Sequence, residues 1–245
     1  MNNLVYIRYE LLRAFRNRRF FFFSLGFPLL FYFVIAAPNR GVQNFDHSGI
    51  SLPLYYMVGL TSFGTMVAMI STGTRIAAER QVGWTRQLRI TPLTTRAYFR
   101  AKVLTAYMMS GLTIVLLALA GTSLGVRLPA GHWIAMVALI LIALLPFAAL
   151  GIMLGHLINV DSIGPFTGGG ASLLAFLGGA WFPLGHHGFL HDLAQLLPSY
   201  WLVQAAHTGL TGHGWPARGW IVIAVWATVL TAGALWAFRR DTKRV

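Results

Sequence analysis

An all-α integral membrane protein, with six transmembrane helices in a single domain over residues 1–245, is the fold class this sequence predicts. Three observations lead to it. Of the 245 residues, 56% are hydrophobic and only 10% are charged, and the mean hydropathy is +0.64. A soluble domain carries roughly 25% charged residues, so this chain lacks the polar surface to face water on every side. The charges are also clustered, leaving uncharged runs at 20–39, 47–74, 103–126, 128–160, 162–191, 193–217 and 219–238. All but one meet the ~20 apolar residues that a helix needs to cross hydrocarbon; the exception, 193–217, is interrupted by Gln195, Pro198, Gln204, His207 and His213. Finally, six spans place every Lys and Arg except Arg40, Arg127 and Arg218 on one side of the membrane. The positive-inside rule makes that side the cytoplasm, with both termini in it.

The elements follow in order. Over residues 2–18, Leu4, Ile7, Leu11 and Phe15 recur at helical spacing while Arg13, Arg16 and Asn17 lie off that stripe. This predicts an amphipathic helix in the membrane interface; a basic leader that only sets topology is the plainer alternative. Span 1 is expected over about 20–37, kinked at Pro28. Its run ends in Val34-Ile35-Ala36, like a signal peptide, yet it is long and five further spans need an anchored first helix, so retention is expected. Span 2 is expected over about 52–74, with Gly59, Gly64 and Gly73 allowing close helix approach. Spans 3 and 4, about 103–125 and 133–157, form a hairpin around the Arg127–His132 turn. His156, near the end of span 4, is expected to cap backbone carbonyls. Span 5 is expected over about 165–182, opening with Pro165 and Gly168-Gly169-Gly170. From Leu184 to Arg218 the chain is too polar to span, and His191–Leu197 predicts a short helical segment dipping into the outer leaflet. Span 6, about 219–238, leads to a basic tail.

Much chemistry is missing. No G-x-x-x-x-G-K-[ST] phosphate loop exists; Gly168-Gly169-Gly170-Ala171-Ser172 lacks the lysine. There is neither an H-E-x-x-H pair nor a G-x-S-x-G elbow. With no cysteine, disulfides and thiolate metal sites are excluded. None of the six carboxylates falls inside an expected span, which removes the usual ion relay of a self-driven carrier. Any uphill transport therefore draws its energy from another subunit. No catalytic residue, metal or bound cofactor is expected. His186, His187, His191 and Asp192 could hold a metal, but unconnected histidines in a wet outer loop are the simpler reading. A net charge of +13 would suggest nucleic acid binding in a soluble protein; here the cations bracket apolar helices, and topology accounts for them.

The segment between spans 2 and 3 carries the most information. Span 2 is expected to continue as helix through Glu79, with Gly83 ending it and Trp84–Ile90 forming a short helix stopped by Pro92. Trp84 and Leu88, four apart, give that helix an apolar edge flanked by Arg86 and Arg89. An apolar knob among cations suits docking into a partner's groove. A topology-setting loop whose Trp84 rests in the interface explains the same residues equally well.

The stretch E-R-Q-V-G-W-T-R-Q-L-R-I-T-P-L resembles the E-R-E-x-G-T-x-x-x-L-x-x-T-P-L signature of membrane permeases from type-2 ABC exporters, the daunorubicin-resistance-like branch. It matches at Glu79, Arg80, Gly83, Leu88, Thr91, Pro92 and Leu93, and departs at Gln81 and Trp84. Trp181-Phe182-Pro183-Leu184 and Leu196-Leu197-Pro198-Ser199-Tyr200-Trp201 resemble the family's F-P-L … L-x-P stretch. The resemblance implies a multi-pass subunit of the bacterial inner membrane, a homodimer or a heterodimer with a similar permease, surrounded by membrane lipids. It implies a separate ABC ATPase subunit that holds ATP and Mg, and a coupling helix at Glu79, Arg80, Gly83, Trp84, Arg86, Leu88, Arg89, Thr91 and Pro92. It also implies a central path near spans 2 and 5. Met57, Phe63, Met66 and Met69 are candidates for a soft apolar lining, or face lipid. Gly168, Gly169 and Gly170 either loosen span 5 or pack closely against a neighbour. The cargo such families export is a lipophilic drug, antibiotic, lipid or polymer. The alternatives are a self-sufficient passive carrier or channel, and an intramembrane enzyme using outer His and Asp.

Overall fold

The computed structural model describes residues 3–43, 45, 50–84, 87, 94–185, 188–211 and 213–242. Among the described residues every regular element is helical. Four helices are long and apolar enough to cross a membrane: Leu52–Gln81, Thr95–Ser123, Ala130–Leu157 and Ala217–Asp241.

Helix α1, Asn3–Arg16, turns Tyr6, Glu10 and Ala14 inward at four-residue spacing, against the helix of span 3. Of the expected apolar stripe, Ile7 packs beside this face, whereas Phe15 is 49% exposed. The buried face is adjacent and partly polar, because the neighbour offers a charged partner there. Next come α2, Arg18–Phe21, a π-helical turn Phe22–Gly26, and α3, Phe27–Ala36. The irregularity expected at Pro28 takes the form of this wide turn just before it. Proline has no N–H for the carbonyl four residues back, and its ring crowds that carbonyl. The residue concerned is Ser24, whose carbonyl instead accepts from the Thr113 hydroxyl at 3.4 Å.

Helix α4, Leu52–Gln81, is the axis of the bundle; nearly all its side chains are buried. Its 30 residues extend about 45 Å, beyond the ~30 Å of hydrocarbon. Its polar residues stay satisfied in an apolar setting because Thr61, Ser62, Thr65 and Thr72 donate to carbonyls four residues back. Its glycines admit neighbours. A Cβ on Gly73 would sit 2.2 Å from the Gly151 carbonyl carbon, and one on Gly155 would sit 2.4 Å from the Gly73 oxygen. Gly151 and Gly155, four apart, form the small-residue stripe that lets two helices meet backbone to backbone.

Helix α5, Thr95–Ser123, begins where the Thr94 hydroxyl accepts from Ala97 N–H at 3.2 Å. Span 4 is two helices, α6, Ala130–Ala143, and α7, Leu145–Leu157. The break at Leu144 was not expected; Pro146 withholds the N–H that would continue the ladder. The arms of the expected hairpin are bridged by the Tyr107 hydroxyl donating to the Leu141 carbonyl at 3.1 Å. The α5 helix packs mainly on α4, whereas α7 packs on both α4 and the last helix, residues 217–242.

Span 5 is shorter than expected. A π-helical stretch, Pro165–Gly170, runs into α8, Ala171–Leu177, and stops well before residue 182. Gly179, at φ +78°, permits the left-handed cap in which Ala180 N–H donates to the Ala175 carbonyl at 2.9 Å. In the segment before span 6 the short helix expected at His191–Leu197 instead runs over Phe189–Ala194 as α9, and an unexpected one, α10, Pro198–Thr211, follows. The α10 helix buries Trp201, Leu202 and Val203 against α6 and α4. Helix α11, Ala217–Thr242, carries the first part of the basic tail as regular helix.

Candidate functional site

The end of α4 nearest the termini is held by ion pairs on two faces. Glu79 and Arg80 are sequence neighbours, so on a helix they point about 100° apart, and each engages different elements. Glu79 faces α1 and α5. Its Oε1 lies 2.5 Å from Lys102 Nζ and 2.8 Å from Arg13 Nη1, and the Tyr98 hydroxyl donates to its Oε2 at 2.5 Å. Lys102 Nζ also meets Glu10 Oε1 at 2.5 Å and lies over the Tyr98 ring, 5.4 Å from its centroid. Glu79 is 0% exposed and Lys102 1%, whereas Arg13 is 51% exposed. The carboxylates thus meet cations directly at the buried end of the site, which is the condition under which buried charge is tolerated.

Arg80 faces α7 and α11. Its Nη2 pairs with Asp241 Oδ1 at 2.8 Å, and its Nη1 donates to the His156 carbonyl at 2.8 Å. The orphan carbonyls at the end of α7 are therefore capped by Arg80, not by the His156 ring as expected. The His156 ring places Nδ1 3.0 Å from Asp241 Oδ2 and sits edge-on to Phe238, centroid to centroid 5.5 Å. Together the two side chains tie α4 to α1, α5, α7 and α11.

Beyond Arg80 the helix ends as expected. Gly83 adopts φ +70°, a conformation that favours glycine, and its N–H donates to the Arg80 carbonyl at 3.1 Å. The chain then re-enters helix at Trp84, where Gln87 N–H donates to the Gly83 carbonyl at 3.2 Å. Trp84 stands beside Tyr6 of α1. Burial raises the Tyr6 phenol, reinforced by the Glu10 and Glu79 charges, while the nearby Trp84 and Arg13 oppose them. Arg86, Leu88, Arg89, Thr91 and Pro92 lie outside the described residues.

The candidate path residues are placed differently. Met57, Phe63, Met66 and Met69 are buried inside this one chain. The Phe63 ring meets Trp181 at 5.2 Å and Phe27 at 5.9 Å, and Met57 fills the space over Gly121. Gly168, Gly169 and Gly170 have no neighbour within 4 Å of a Cβ placed on them, so close packing within the chain does not explain them. Of the outer histidines, His186 and His187 lie outside the described residues, and His191 Nε2 sits 2.5 Å from Gln195 Nε2.

Reasoning from sequence missed Glu10, Tyr98, Lys102, His156 and Asp241 as partners of the motif. One signal was available: Glu10, Glu79 and Asp241 are three of only six acidic residues, and in so basic a chain each carboxylate at a helix end finds a cation.

With this geometry in view, two comparisons with known proteins can be placed beside it. Residues 2–211 match the family described as ABC-2 type transporter. The protein named "Putative transport permease YvfS" of Bacillus subtilis (strain 168) is 30% identical over 195 residues, 78% of each chain.

Proposed function

Because this chain belongs to the ABC-2 type transporter family and is a membrane-embedded transporter subunit, we propose that it is the permease of an ATP-driven exporter. In this reading the chain crosses the membrane six times, with both termini in the cytoplasm. It pairs with a second copy or a similar permease, and couples to a separate ATPase that binds ATP and Mg. The shorter apolar stretch Phe22–Ala36 and the Pro165–Leu177 segment are the two spans beyond the four long helices. The cargo is lipophilic: a drug, antibiotic, lipid or polymer.

The observation that carries this reading is the braced end of α4. A docking element at Glu79–Leu93 can drive a transporter only if force applied there moves several spans together. Glu79 and Arg80 connect the root of that element to α1, α5, α7 and α11 through pairs of 2.5–2.8 Å, so the root cannot shift alone. The permease makes and breaks no covalent bond. Its contribution is an inward-open state that binds cargo better than the outward-open state does, with ATP supplying the difference.

The test is export from vesicles containing the permease and its co-purifying ATPase. Export is expected to need ATP and to stop when the ATPase phosphate-loop lysine is replaced. Export that persists in that variant refutes the reading, and flux through the purified permease alone would favour a passive carrier or channel.

A further inference from the structure

At the opposite end of the bundle, α11 and the α9–α10 turn enclose a groove of about 340 Å³ lined by Leu196, Ile221, Val222, Val225, Trp226 and Val229. We propose that this groove binds one acyl chain of an anionic phospholipid whose headgroup phosphate sits at Arg218. The site is a property of this chain's surface and does not depend on the transport reading.

Several independent features converge on that occupant. The lining is wholly apolar, and Ile221, Val225 and Val229 are each more than half exposed, so the groove opens sideways and not into the protein. From Ile221 to Val229 it runs roughly 12 Å along the helix, most of the ~15 Å depth of one leaflet. Its wall is fixed, because the Trp226 indole N–H donates to the Leu196 carbonyl at 2.8 Å, bridging α11 to the turn. The groove exists before any lipid arrives, which limits the ordering cost of binding.

The headgroup end is charged and polar. Arg218 lies four, seven and eleven residues before Val222, Val225 and Val229, so it heads the same helical stripe. It is exposed. A guanidinium offers planar, paired donors to phosphate oxygens. No described carboxylate is recorded in contact with Arg218. An apolar slot of one-leaflet depth beneath a single cation fits a lipid with a net negative headgroup better than a zwitterionic one, whose choline would meet Arg218.

The experiment uses the full-length protein in detergent, titrated with phosphatidylglycerol carrying brominated acyl chains, which quench nearby tryptophan. Phosphatidylcholine with the same chains is the control. Trp226→Phe isolates the signal of the groove from the other seven tryptophans. Phosphatidylglycerol is expected to reach half-quenching at about five- to tenfold lower concentration than phosphatidylcholine, the worth of one cation near a lipid phosphate. Arg218→Gln should abolish that preference while leaving the quenching itself. Val225→Phe, which fills the groove without touching the charge, should weaken quenching by both lipids. Equal half-quenching by the two lipids, or a preference unchanged in Arg218→Gln, overturns the proposal. So does quenching that is absent for both lipids while single cysteines at Val225 cross-link between copies, since the groove would then be an interface.

Discussion

The buried Glu79–Lys102 pair gives the sharpest prediction. Replace Glu79 by Gln, Lys102 by Met, and both together. Neither partner is more than 1% exposed, so no water screens the charge left behind when one is removed. Breaking such a pair costs about 3–5 kcal/mol. Glu79→Gln should fall at the lower end, because Lys102 keeps Glu10 at 2.5 Å. Arg13 adds little, since at 51% exposure its pair is worth about 0–1 kcal/mol. Lys102→Met is the harsher change: it leaves Glu10 and Glu79 as two buried carboxylates without the ammonium they share. In the double variant one carboxylate and one cation are gone together, and Glu10 with Arg13, three apart on α1, can balance each other. The double loss should therefore fall short of the sum by about 2–3 kcal/mol. Thermal unfolding of the purified protein, followed by tryptophan fluorescence, reads this out. At about 2–4 °C per kcal/mol for a chain of this size, each single variant should melt roughly 6–20 °C lower, and the double level with the worse single or a few degrees below it. Single variants that melt with the parent, or a double whose loss equals the sum, would refute the claim that the pair is a closed buried network.

Three further outcomes follow from the same geometry. Gly83→Val forces a β-branched residue into φ +70° at about 1–2 kcal/mol; ATP-dependent export should drop while the amount of protein in the membrane stays constant. Trp84→Glu and Leu88→Glu should leave insertion and ATP hydrolysis intact but separate hydrolysis from export, measured as transport per ATP; normal export in both variants sinks the docking assignment. Gly151→Val places a side chain against the Met69 and Ile70 carbonyls, where even a Cβ would sit 2.9 Å away; overpacking of about 1–3 kcal/mol or more should appear as loss of folded protein on size-exclusion chromatography.

The class of the protein was legible because hydrocarbon imposes one simple requirement, long uncharged runs, and cations mark their ends. Punctuation by single residues was legible too. Pro28 promised an irregularity and Gly83 a stop, since each acts on its own backbone. What stayed hidden depends on contacts distant in sequence. Lys102 and Glu10 are 92 positions apart, and no local pattern announces that α1 docks by its Tyr6–Glu10–Ala14 face in preference to its more apolar one. The α10 helix was masked by its own composition: Gln204 and His207 disqualify it as a span but do not prevent a helix packed on protein. Span 5 was overextended because hydropathy continues through Gly178-Gly179-Ala180-Trp181-Phe182, while the backbone turns at Gly179.

The irregularities are distributed in a way that bears on mechanism. Helix α4 runs its full 30 residues without a break, with its hydroxyls bonded internally and its glycines filled by neighbouring backbone. Its neighbours do not share that regularity. The first apolar segment contains a π turn at Phe22–Gly26, span 4 breaks at Leu144, and Pro165–Gly170 is π-helical with open space beside its glycines. Such interruptions are where helices bend. Under the proposed coupling, a push delivered at Trp84 would meet a stiff rod whose root is tied by Glu79 and Arg80, and the deformation would be taken up in the segments around it. The proposed coupling then predicts that the interrupted helices are the segments that move. Substitutions that straighten them, such as Pro146→Ala, should slow transport without loosening the charge network at the end of α4.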